Sequence, residues 1–427
     1  MDDIAPEIDI SGKKSARSGV VVVGGGPAGL IAAEVLSRAG ISVTIYDRMP
    51  TFGRKLQMAG RGGLNLTHSE PLEKFLKRYG KSRAFLAPPI ESFSPIMLRD
   101  WAAGLGEETF VGSSGRVFPK AMKAAPLLRA WLARLRDQGV EFRYRMEWLG
   151  WDGAGDLLFR PADGAEEKVP ARAVILALGG ASWPRLGSNG AWTSILEEKG
   201  VAVAPLRPAN CGFKVQWSEI FRQRFQGQPL KNVALTCAGR TVRGEAMVTA
   251  QGIEGGTIYA LSSLLRERIE TDGQTVLQVN FCPDRSTEDL RKRLGRPRGK
   301  QSQTDFLRRA LGLPPIAINL MREAAGPSLP SDPAALAELV QAAPITLTAP
   351  FSIERAISSA GGIVLTEVDG NFMLARLPGV FVAGEMLDWE APTGGYLLQG
   401  TFASGVAAAQ GLLAWLQQDG SPKSGNT

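Results

Sequence analysis

The sequence predicts an α/β fold in which a parallel sheet is interrupted by a β-rich part and a small helical part. Residues 20–23 are four consecutive valines, the pattern of a strand buried on both faces of a parallel sheet. A glycine-rich turn and an apolar helix pattern follow at once, and a second strand pattern covers residues 41–46. Short apolar runs end in glycine again at residues 174–178 and 380–383. Repeated units of strand, glycine turn and helix build a sheet of this kind.

The turn after the first strand has the spacing GxGxxG, within GGGPAGLIAAEVLSRAG. We expect Gly24 to permit a tight turn, Gly26 to let the backbone approach a pyrophosphate, and Gly29 to let the helix pack on the strand. Pro27 and Ala28 lie at the positive end of that helix, where phosphate groups bind. The motif therefore predicts a dinucleotide site, with an ordinary glycine turn as the alternative.

An acidic residue supports the dinucleotide interpretation. Asp47 follows the second strand, 18 residues after Gly29, where a carboxylate can accept hydrogen bonds from an adenosine ribose. The next segment, residues 49–70, is predicted to be a glycine- and cation-rich loop without apolar periodicity, unlike the next βα unit of an NAD-dependent dehydrogenase. In it, Arg54 and Lys55 are candidates to neutralise pyrophosphate, and Asn65 offers a neutral hydrogen bond. Each of the three is equally compatible with a surface loop.

Four longer segments narrow the assignment: GRKLQMAGRGGLNLTH, VILALGGASWPRLGSNGAW, ISSAGGI and GVFVAGEMLDWEAPTGGYLLQGTFASG. With them the chain resembles, over nearly its whole length, the bacterial NAD(P)/FAD-dependent oxidoreductases that include the BaiN-type (BaiN/RdsA, YhiN-like) flavoproteins. The resemblance implies a Rossmann-like FAD/NAD(P)-binding fold of the glutathione-reductase type. Such a fold has three layers, two of β-structure and one of helices (ββα).

The resemblance also implies where each half of FAD binds. The glycine turn and Asp47 would hold the ADP half, with Arg54 and Lys55 near the pyrophosphate. Gly179 would let backbone pass close to the cofactor, and Glu385 would face the ribityl chain. Gly384 precedes Glu385 in the segment that corresponds to the Gly-Asp pair of the family. The segment expected beside the isoalloxazine, at the start of the last helix, comprises Thr393, Gly394, Gly395, Tyr396, Leu397 and Leu398.

The chain departs from the family pattern at several places. The usual GxGRCNxT loop reads GRGGLNLT here, without the cysteine, and Glu385 replaces an aspartate. Where relatives have a histidine in a THxGxSGP-like stretch, this chain has Ala250, with Glu254 nearby. We therefore do not carry over the family's substrate.

Composition limits the remaining function classes. The net charge of +7 is mostly dispersed, with one dense basic cluster at residues 291–300 that we interpret as a solvated loop. Three scattered cysteines and one histidine exclude a disulfide reductase and predict no metal centre. No apolar stretch has the length of a signal peptide or a membrane span, which predicts a cytoplasmic protein without a membrane partner.

Element patterns suggest the domain limits. We expect a flexible leader at residues 1–18 and a polar tail at 418–427. The FAD-binding domain is predicted to take residues 19–200 and 350–417, the β-rich substrate domain residues 201–282 and 342–349, and the helical insertion residues 283–341.

The sequence thus predicts an enzyme in which NAD(P)H, as a transient donor, reduces FAD, which then passes hydride from N5 to an unsaturated small molecule. Tyr396, His68 and Glu254 are the candidate proton donors, and a displaced water is equally suitable. The alternatives are a flavin-dependent tRNA-modifying enzyme and a non-catalytic, flavin-bound redox sensor. We expect no nucleic-acid partner, because the basic cluster lacks interleaved aromatic residues. Oligomeric state is not predicted.

Overall fold

A computed structural model describes residues 19–419 of the protein. The expected leader at residues 1–18 lies outside the described residues, as does the tail from residue 420 onward.

The described residues form strands, α-helices and short 3-10 helices. The strands are β1 (Val20–Val23), β2 (Val43–Asp47), β3 (Thr67–His68), β4 (Thr109–Val111), β5 (Arg116–Pro119), β6 (Glu141–Tyr144), β7 (Met146–Trp151), β8 (Leu157–Pro161), β9 (Glu167–Val169), β10 (Ala173–Leu176), β11 (Val203–Ala209), β12 (Phe213–Lys214), β13 (Pro229–Cys237), β14 (Arg240–Thr249), β15 (Gly252–Glu254), β16 (Thr275–Asn280), β17 (Ala343–Leu347), β18 (Ala349–Pro350), β19 (Ser358–Ile363) and β20 (Val380–Val382). The α-helices are α1 (Pro27–Arg38), α2 (Arg54–Ala59), α3 (Leu72–Leu76), α4 (Arg83–Ser92), α5 (Pro95–Ala103), α6 (Ala124–Asp137), α7 (Trp192–Glu198), α8 (Glu219–Phe225), α9 (Gly256–Asp272), α10 (Thr287–Leu294), α11 (Gln303–Leu311), α12 (Pro315–Ala325), α13 (Pro333–Gln341) and α14 (Tyr396–Asp419). The 3-10 helices are Gly60–Gly62, Lys77–Ser82, Pro184–Leu186, Ile353–Arg355, Leu365–Glu367 and Gly384–Met386.

The central sheet has the order β20-β10-β1-β2-β6, and all four of its strand pairs are parallel. Its middle strand, β1, is buried along its whole length, as four consecutive β-branched residues predict. Helices α1 and α14 pack together, and glycine makes the close approach possible. A Cβ on Gly405 would lie 2.5 Å from the carbonyl oxygen of Ala28. A small antiparallel sheet, β7-β8-β9, adds the further β layer.

A second region has its own hydrophobic core. Its seven-stranded sheet has the order β17-β16-β13-β14-β15-β12-β18, and α9 packs on β13 to β16. The segment from α10 to α13 extends this core through the buried leucines Leu290, Leu307, Leu320 and Leu336. The antiparallel pair β11-β19 leads the chain into and out of this region. The predicted fold class, with its β-rich and helical parts, is confirmed, whereas the predicted domain limits stay a prediction.

Two expectations about local structure were wrong. Residues 49–70 are not one irregular loop, because they contain α2, which buries Leu56, and the short strand β3. The β-rich segment also contains the 17-residue helix α9. Ile258, Leu261 and Leu265 are buried on that helix at helical spacing. The alternating strand patterns on either side of this helix do not indicate it.

Candidate functional site

A deep cleft opens at the carboxyl ends of the parallel strands. Its walls include Val23, Asp47, Ala177 and Ala383, which lie at or just after the ends of β1, β2, β10 and β20. With the solvent at its mouth counted, the space within the cleft is about 1450 Å³. Ligands of open α/β sheets bind at this edge.

The cleft brings together most of the residues that the sequence singled out. Those that line it are Gly24, Gly26, Pro27, Ala28, Asp47, Arg54, Lys55, Gly179, Gly384, Glu385, Leu397 and Leu398. Those that do not line it are Gly29, Asn65, His68, Thr393, Gly394, Gly395 and Tyr396.

The three glycines of GxGxxG occupy sterically different places. Gly24 has φ +109°, and a Cβ there would lie 2.3 Å from the carbonyl oxygen of Ala177. A Cβ on Gly29 would lie 2.0 Å from the carbonyl oxygen of Gly24. By contrast, a Cβ on Gly26 would meet no atom within 4 Å. Gly24 and Gly29 are thus needed by the protein itself, whereas the space beside Gly26 is open for a ligand.

Asp47 holds the glycine turn through both carboxylate oxygens. Its Oδ2 accepts from the Gly25 backbone N–H at 2.6 Å, and its Oδ1 accepts from the Met49 N–H at 2.7 Å. Burial raises the pKa of Asp47 above its usual value, and the two N–H bonds act in the opposite direction. The carboxylate therefore has a structural task in addition to the ribose contact that the sequence predicts.

Lys55 and Glu385 meet across the cleft. Lys55 Nζ lies 2.8 Å from Glu385 Oε2 and donates to Ser182 Oγ, also at 2.8 Å. The other oxygen of Glu385 accepts from the Ser359 backbone N–H at 2.7 Å. Both charged side chains are partly buried, with relative exposures of 26% and 14%. This network fastens the residues that follow β20 to α2, to the start of β19 and to the loop after β10.

The segment before α14 is held by amide side chains from distant parts of the chain. The Thr393 N–H donates to Asn210 Oδ1 at 3.0 Å. Asn65, with its amide turned so that both polar atoms are satisfied, accepts from the Gly395 N–H at 3.2 Å. A Cβ on Gly395 would lie 2.5 Å from backbone atoms of Thr67, so this glycine is required where the helix begins.

Tyr396 and His68 lie together, but neither residue lines the cleft. Their rings stack with centroids 5.3 Å apart. Tyr396 is 5% exposed, and its hydroxyl donates to Glu70 Oε1 at 2.6 Å. His68 accepts from the Glu70 backbone N–H through Nδ1, and its Nε2 lies 3.1 Å from the carbonyl oxygen of Ser114. Polar atoms of both side chains thus already have partners within the fold.

The charges around Tyr396 oppose loss of its proton. Burial and the hydrogen bond to Glu70 raise the pKa of the Tyr396 phenol, against the lowering effect of Arg78. Conversely, the bonds from Arg78 and Tyr396 lower the pKa of Glu70 despite its burial. Arg78 donates to both oxygens of Glu70, at 3.0 and 2.9 Å. The arrangement stabilises a neutral tyrosine bound to an ionised glutamate.

Two buried donors that line the cleft lack a partner in the described part of the chain, and sequence reasoning missed one of them, Trp148. Arg54 Nε and Trp148 Nε1 are buried and have no hydrogen-bond partner among residues 19–419. Buried donors are nearly always satisfied in folded proteins, so both point to a ligand that carries acceptor atoms. Trp148 lies at the end of the cleft that also contains Asp47, and no local motif in the sequence marks it.

The comparison with protein families agrees with this geometry. Residues 18–411 match the model of the HI0933-like protein Rossmann domain. The chain belongs to this family. The resemblance to the BaiN-type flavoproteins is thereby confirmed, and the protein is an FAD-dependent oxidoreductase.

Two relatives extend over nearly the whole HI0933-like chain. The 3-dehydro-bile acid Δ(4,6)-reductase of Clostridium scindens is 26% identical, over 91% of this chain and 97% of that protein. The ribosomal RNA dihydrouridine synthase of Escherichia coli is 24% identical, over 93% and 98%. Among solved structures, the 3-ketosteroid Δ4-(5α)-dehydrogenase of Rhodococcus jostii has a TM-score of 0.50 at 18% identity and covers 96% of this chain and 100% of its own. At that identity the likeness concerns the fold alone.

The cleft of this HI0933-like protein fits FAD. The cleft runs from the glycine turn to the start of α14. The open space at Gly26 lies where backbone can approach a pyrophosphate. Two buried donors without a partner among residues 19–419 line the cleft. Within the described residues, no helix is long and apolar enough to cross a membrane.

Proposed function

We propose that this protein is an NAD(P)H-driven reductase of an unsaturated organic small molecule. The observation that carries the proposal is one continuous cleft between a dinucleotide turn and the start of a buried helix, in a chain of this family. Bound FAD supplies hydride transfer through its N5 atom. The name of the Clostridium scindens relative, a reductase of an unsaturated ring, supports this substrate class.

The residues of the cleft would share the work of holding the cofactor. The turn at Gly26 and the start of α1 would face the pyrophosphate, since α1 has no side-chain cap and leaves its first N–H groups available. Arg54 and Lys55 would add positive charge there. At the other end, Glu385 and the backbone at the start of α14 would face the ribityl and ring portions. A helix amino terminus favours negative charge beside it.

The donor would bind only transiently. Among residues 19–419 the central sheet carries one strand, GxGxxG and helix unit, so no second dinucleotide site of that type accompanies the first. NAD(P)H and the substrate would therefore occupy the same face in turn, which predicts ping-pong kinetics.

The proton that completes the reduction would come from a side chain or from water. Tyr396 and His68 stay candidates from the sequence, but neither lines the cleft, and both are bonded elsewhere. A water in the cleft would donate the proton equally well, without a dedicated acidic side chain.

The test is an anaerobic titration of the purified protein. Bound FAD should bleach on addition of NADH or NADPH, and a cyclic enone or dienone should then restore the oxidised spectrum. Flavin that stays oxidised with both nucleotides would refute the donor. Reduced flavin that is reoxidised by oxygen but by none of the enones and dienones tested would refute the substrate class. A protein that takes up no FAD would refute the whole proposal.

A second candidate is reduction of a base in RNA. It is supported by the names of two relatives, both ribosomal RNA dihydrouridine synthases, and by the exposed basic residues at positions 291–300. Such an enzyme should bind RNA with an affinity that falls steeply with salt. Dihydrouridine formed in isolated ribosomal or transfer RNA, together with no turnover of enones, would favour this candidate.

We also propose a cytoplasmic location and a small-molecule substrate, without a nucleic-acid or membrane partner. Fractionation of cells tests the location, and the ultraviolet spectrum of the purified protein tests for bound nucleic acid.

A further inference from the structure

Asn210 connects the β-rich region to the segment that precedes α14. Its backbone N–H donates to Ser262 Oγ of α9 at 2.9 Å. Its side-chain Nδ2 donates to Ser358 Oγ and to the Ala391 carbonyl oxygen, both at 2.8 Å. Its Oδ1 accepts from the Thr393 N–H at 3.0 Å. The residue is 3% exposed, so the amide is buried with both its donor hydrogens and its oxygen in use.

The segment that Asn210 holds has little other support. Pro392 lies between the two backbone groups that the amide binds, and it has no N–H of its own. Gly394 and Gly395 follow at φ +123° and +94°, and α14 begins at the next residue. The position of residues 391–393 therefore depends on the Asn210 amide, and Asn65 holds Gly395 just after them.

A second side chain of the same region binds the neighbouring residue. Arg266 of α9 is fully buried and donates to both carboxylate oxygens of Glu390, at 2.7 and 3.2 Å. It also donates to the Pro208 carbonyl oxygen, two residues before Asn210. The β-rich region thus bonds to residues 390, 391 and 393.

We propose that Asn210 is a positioning residue that sets the affinity of the protein for reduced over oxidised flavin. It keeps residues 391–393 in place, and through them the N–H groups at the start of α14, which favour negative charge beside them. Ser358 lines the cleft and accepts from the same amide. A substrate that contacts Ser358 would therefore act on the position of residues 391–393 through Asn210. The proposal rests on the flavin placement given under the proposed function, and not on the donor or the substrate.

The test compares N210G with N232G. Asn210 and Asn232 both have left-handed backbone, with φ +49° and +50°, so glycine removes the side chain without strain at either position. Asn232 is exposed, and its Nδ2 donates to the exposed side chain of Asp284 at 3.3 Å, which makes it the matched control. The measurements are the two-electron midpoint potential of bound FAD, by dye equilibration, and amide hydrogen exchange at Thr393.

We expect N210G to bind reduced FAD about tenfold less tightly relative to oxidised FAD, a fall of ~30 mV for a two-electron couple. Exchange at Thr393 should become faster, and N232G should match the unchanged protein in both measurements. A normal potential in FAD-loaded N210G, or equal shifts in both variants, would overturn the proposal. Failure of the unchanged protein to bind FAD would instead overturn the proposed function.

If N210G does not fold, N210D provides the test. Aspartate tolerates the left-handed backbone and keeps an acceptor for the Thr393 N–H, but it loses both donor bonds. We expect faster exchange at Thr393 together with a lowered potential. A lowered potential with exchange as slow as in the unchanged protein would be an effect of the added charge alone and, like an unchanged potential, would overturn the proposal.

Discussion

The two ends of the cleft are built in different ways. At the amino-terminal end, the turn at Gly24 to Gly29 is fixed by contacts with its own helix and with the strands beside it. At the carboxyl-terminal end, the residues after β20 and before α14 are held by side chains that come from far away in the chain: Lys55 bonds to Glu385, and Asn210 bonds to residues 391 and 393. The first end is a local motif, whereas the second is an assembly of long-range hydrogen bonds.

This difference separates steric requirements from ligand requirements. Glycine is needed at Gly29 because backbone occupies the place of a side chain, whereas Gly26 has empty space beside it. At the carboxyl-terminal end, polar side chains that hold the segment also line the cleft, as Lys55 and Glu385 do. We therefore expect changes at the glycines of the first end to affect either stability or FAD binding. Changes at Asp47, which both holds the turn and lines the cleft, and changes at the second end should affect both.

The largest predicted effect comes from Gly29→Ala. Its Cβ would lie 2.0 Å from the Gly24 carbonyl oxygen, so we expect a loss of unfolding free energy of about 3 kcal/mol or more, or no folded protein. Gly26→Ala is the matched variant in the same turn. It should change the stability of the FAD-free protein by less than ~0.5 kcal/mol and weaken FAD binding more than tenfold.

Thermal unfolding of the FAD-free proteins and fluorescence titration with FAD measure the two effects separately. The comparison would fail if Gly26→Ala were as destabilising as Gly29→Ala, or if it bound FAD normally.

This contrast also explains what the sequence could predict. The glycine turn, the strand before it and Asp47 lie within one βαβ unit, so spacing alone indicates their arrangement. The contact between Asn210 and Thr393 joins residues 183 positions apart, and nothing in either local pattern announces it. Trp148 lies on β7 and reaches the cleft only because the small sheet folds over the central one. Burial of its N–H is a property of packing, which a single sequence does not display.

Asp47→Ala is expected to have the second largest effect. It removes the acceptor for two backbone N–H groups, those of Gly25 and Met49. The loss should be about 2 kcal/mol in the FAD-free protein, because each charge-assisted bond contributes modestly and burial of the carboxylate opposes it. Denaturant unfolding checks this value.

Asp152→Ala is a control for Asp47→Ala, since Asp152 also accepts backbone N–H groups but lies in an exposed turn away from the cleft. It should leave FAD binding unchanged, while Asp47→Ala weakens it. Equal FAD affinity in the two variants would show that Asp47 has the structural task alone.

Lys55→Met sharpens the comparison from the other end. It leaves the partly buried Glu385 without its cation, and we expect both a small loss of stability, about 1 kcal/mol, and roughly tenfold weaker FAD binding. Lys81→Met is the control, because the ion pair of Lys81 with Glu267 is long, at 3.8 Å, and exposed. If Lys55→Met lowered only one of the two quantities, the carboxyl-terminal end would not combine the two tasks.

The smallest predicted effect belongs to Tyr396→Phe. The change removes one hydrogen bond, to Glu70 at 2.6 Å, and should reduce stability by about 1 kcal/mol while turnover stays within about twofold of the unchanged protein. The phenol lies outside the cleft residues, and burial and Glu70 raise its pKa, so it is a poor proton donor at neutral pH.

The pH dependence of stability gives a second reading of the same variant. The pKa of Glu70 is lowered in the fold, first by Arg78 and then by Tyr396, so its contribution to stability is present above its usual value of 4.5 and is lost as the pH falls. Without the phenol, the pKa of Glu70 should move up toward that value, and the acid-induced loss should become smaller. A fall in turnover of a hundredfold or more, with stability and its pH dependence unchanged, would instead make Tyr396 a catalytic residue, because a packing role alone cannot lower the rate without weakening the fold.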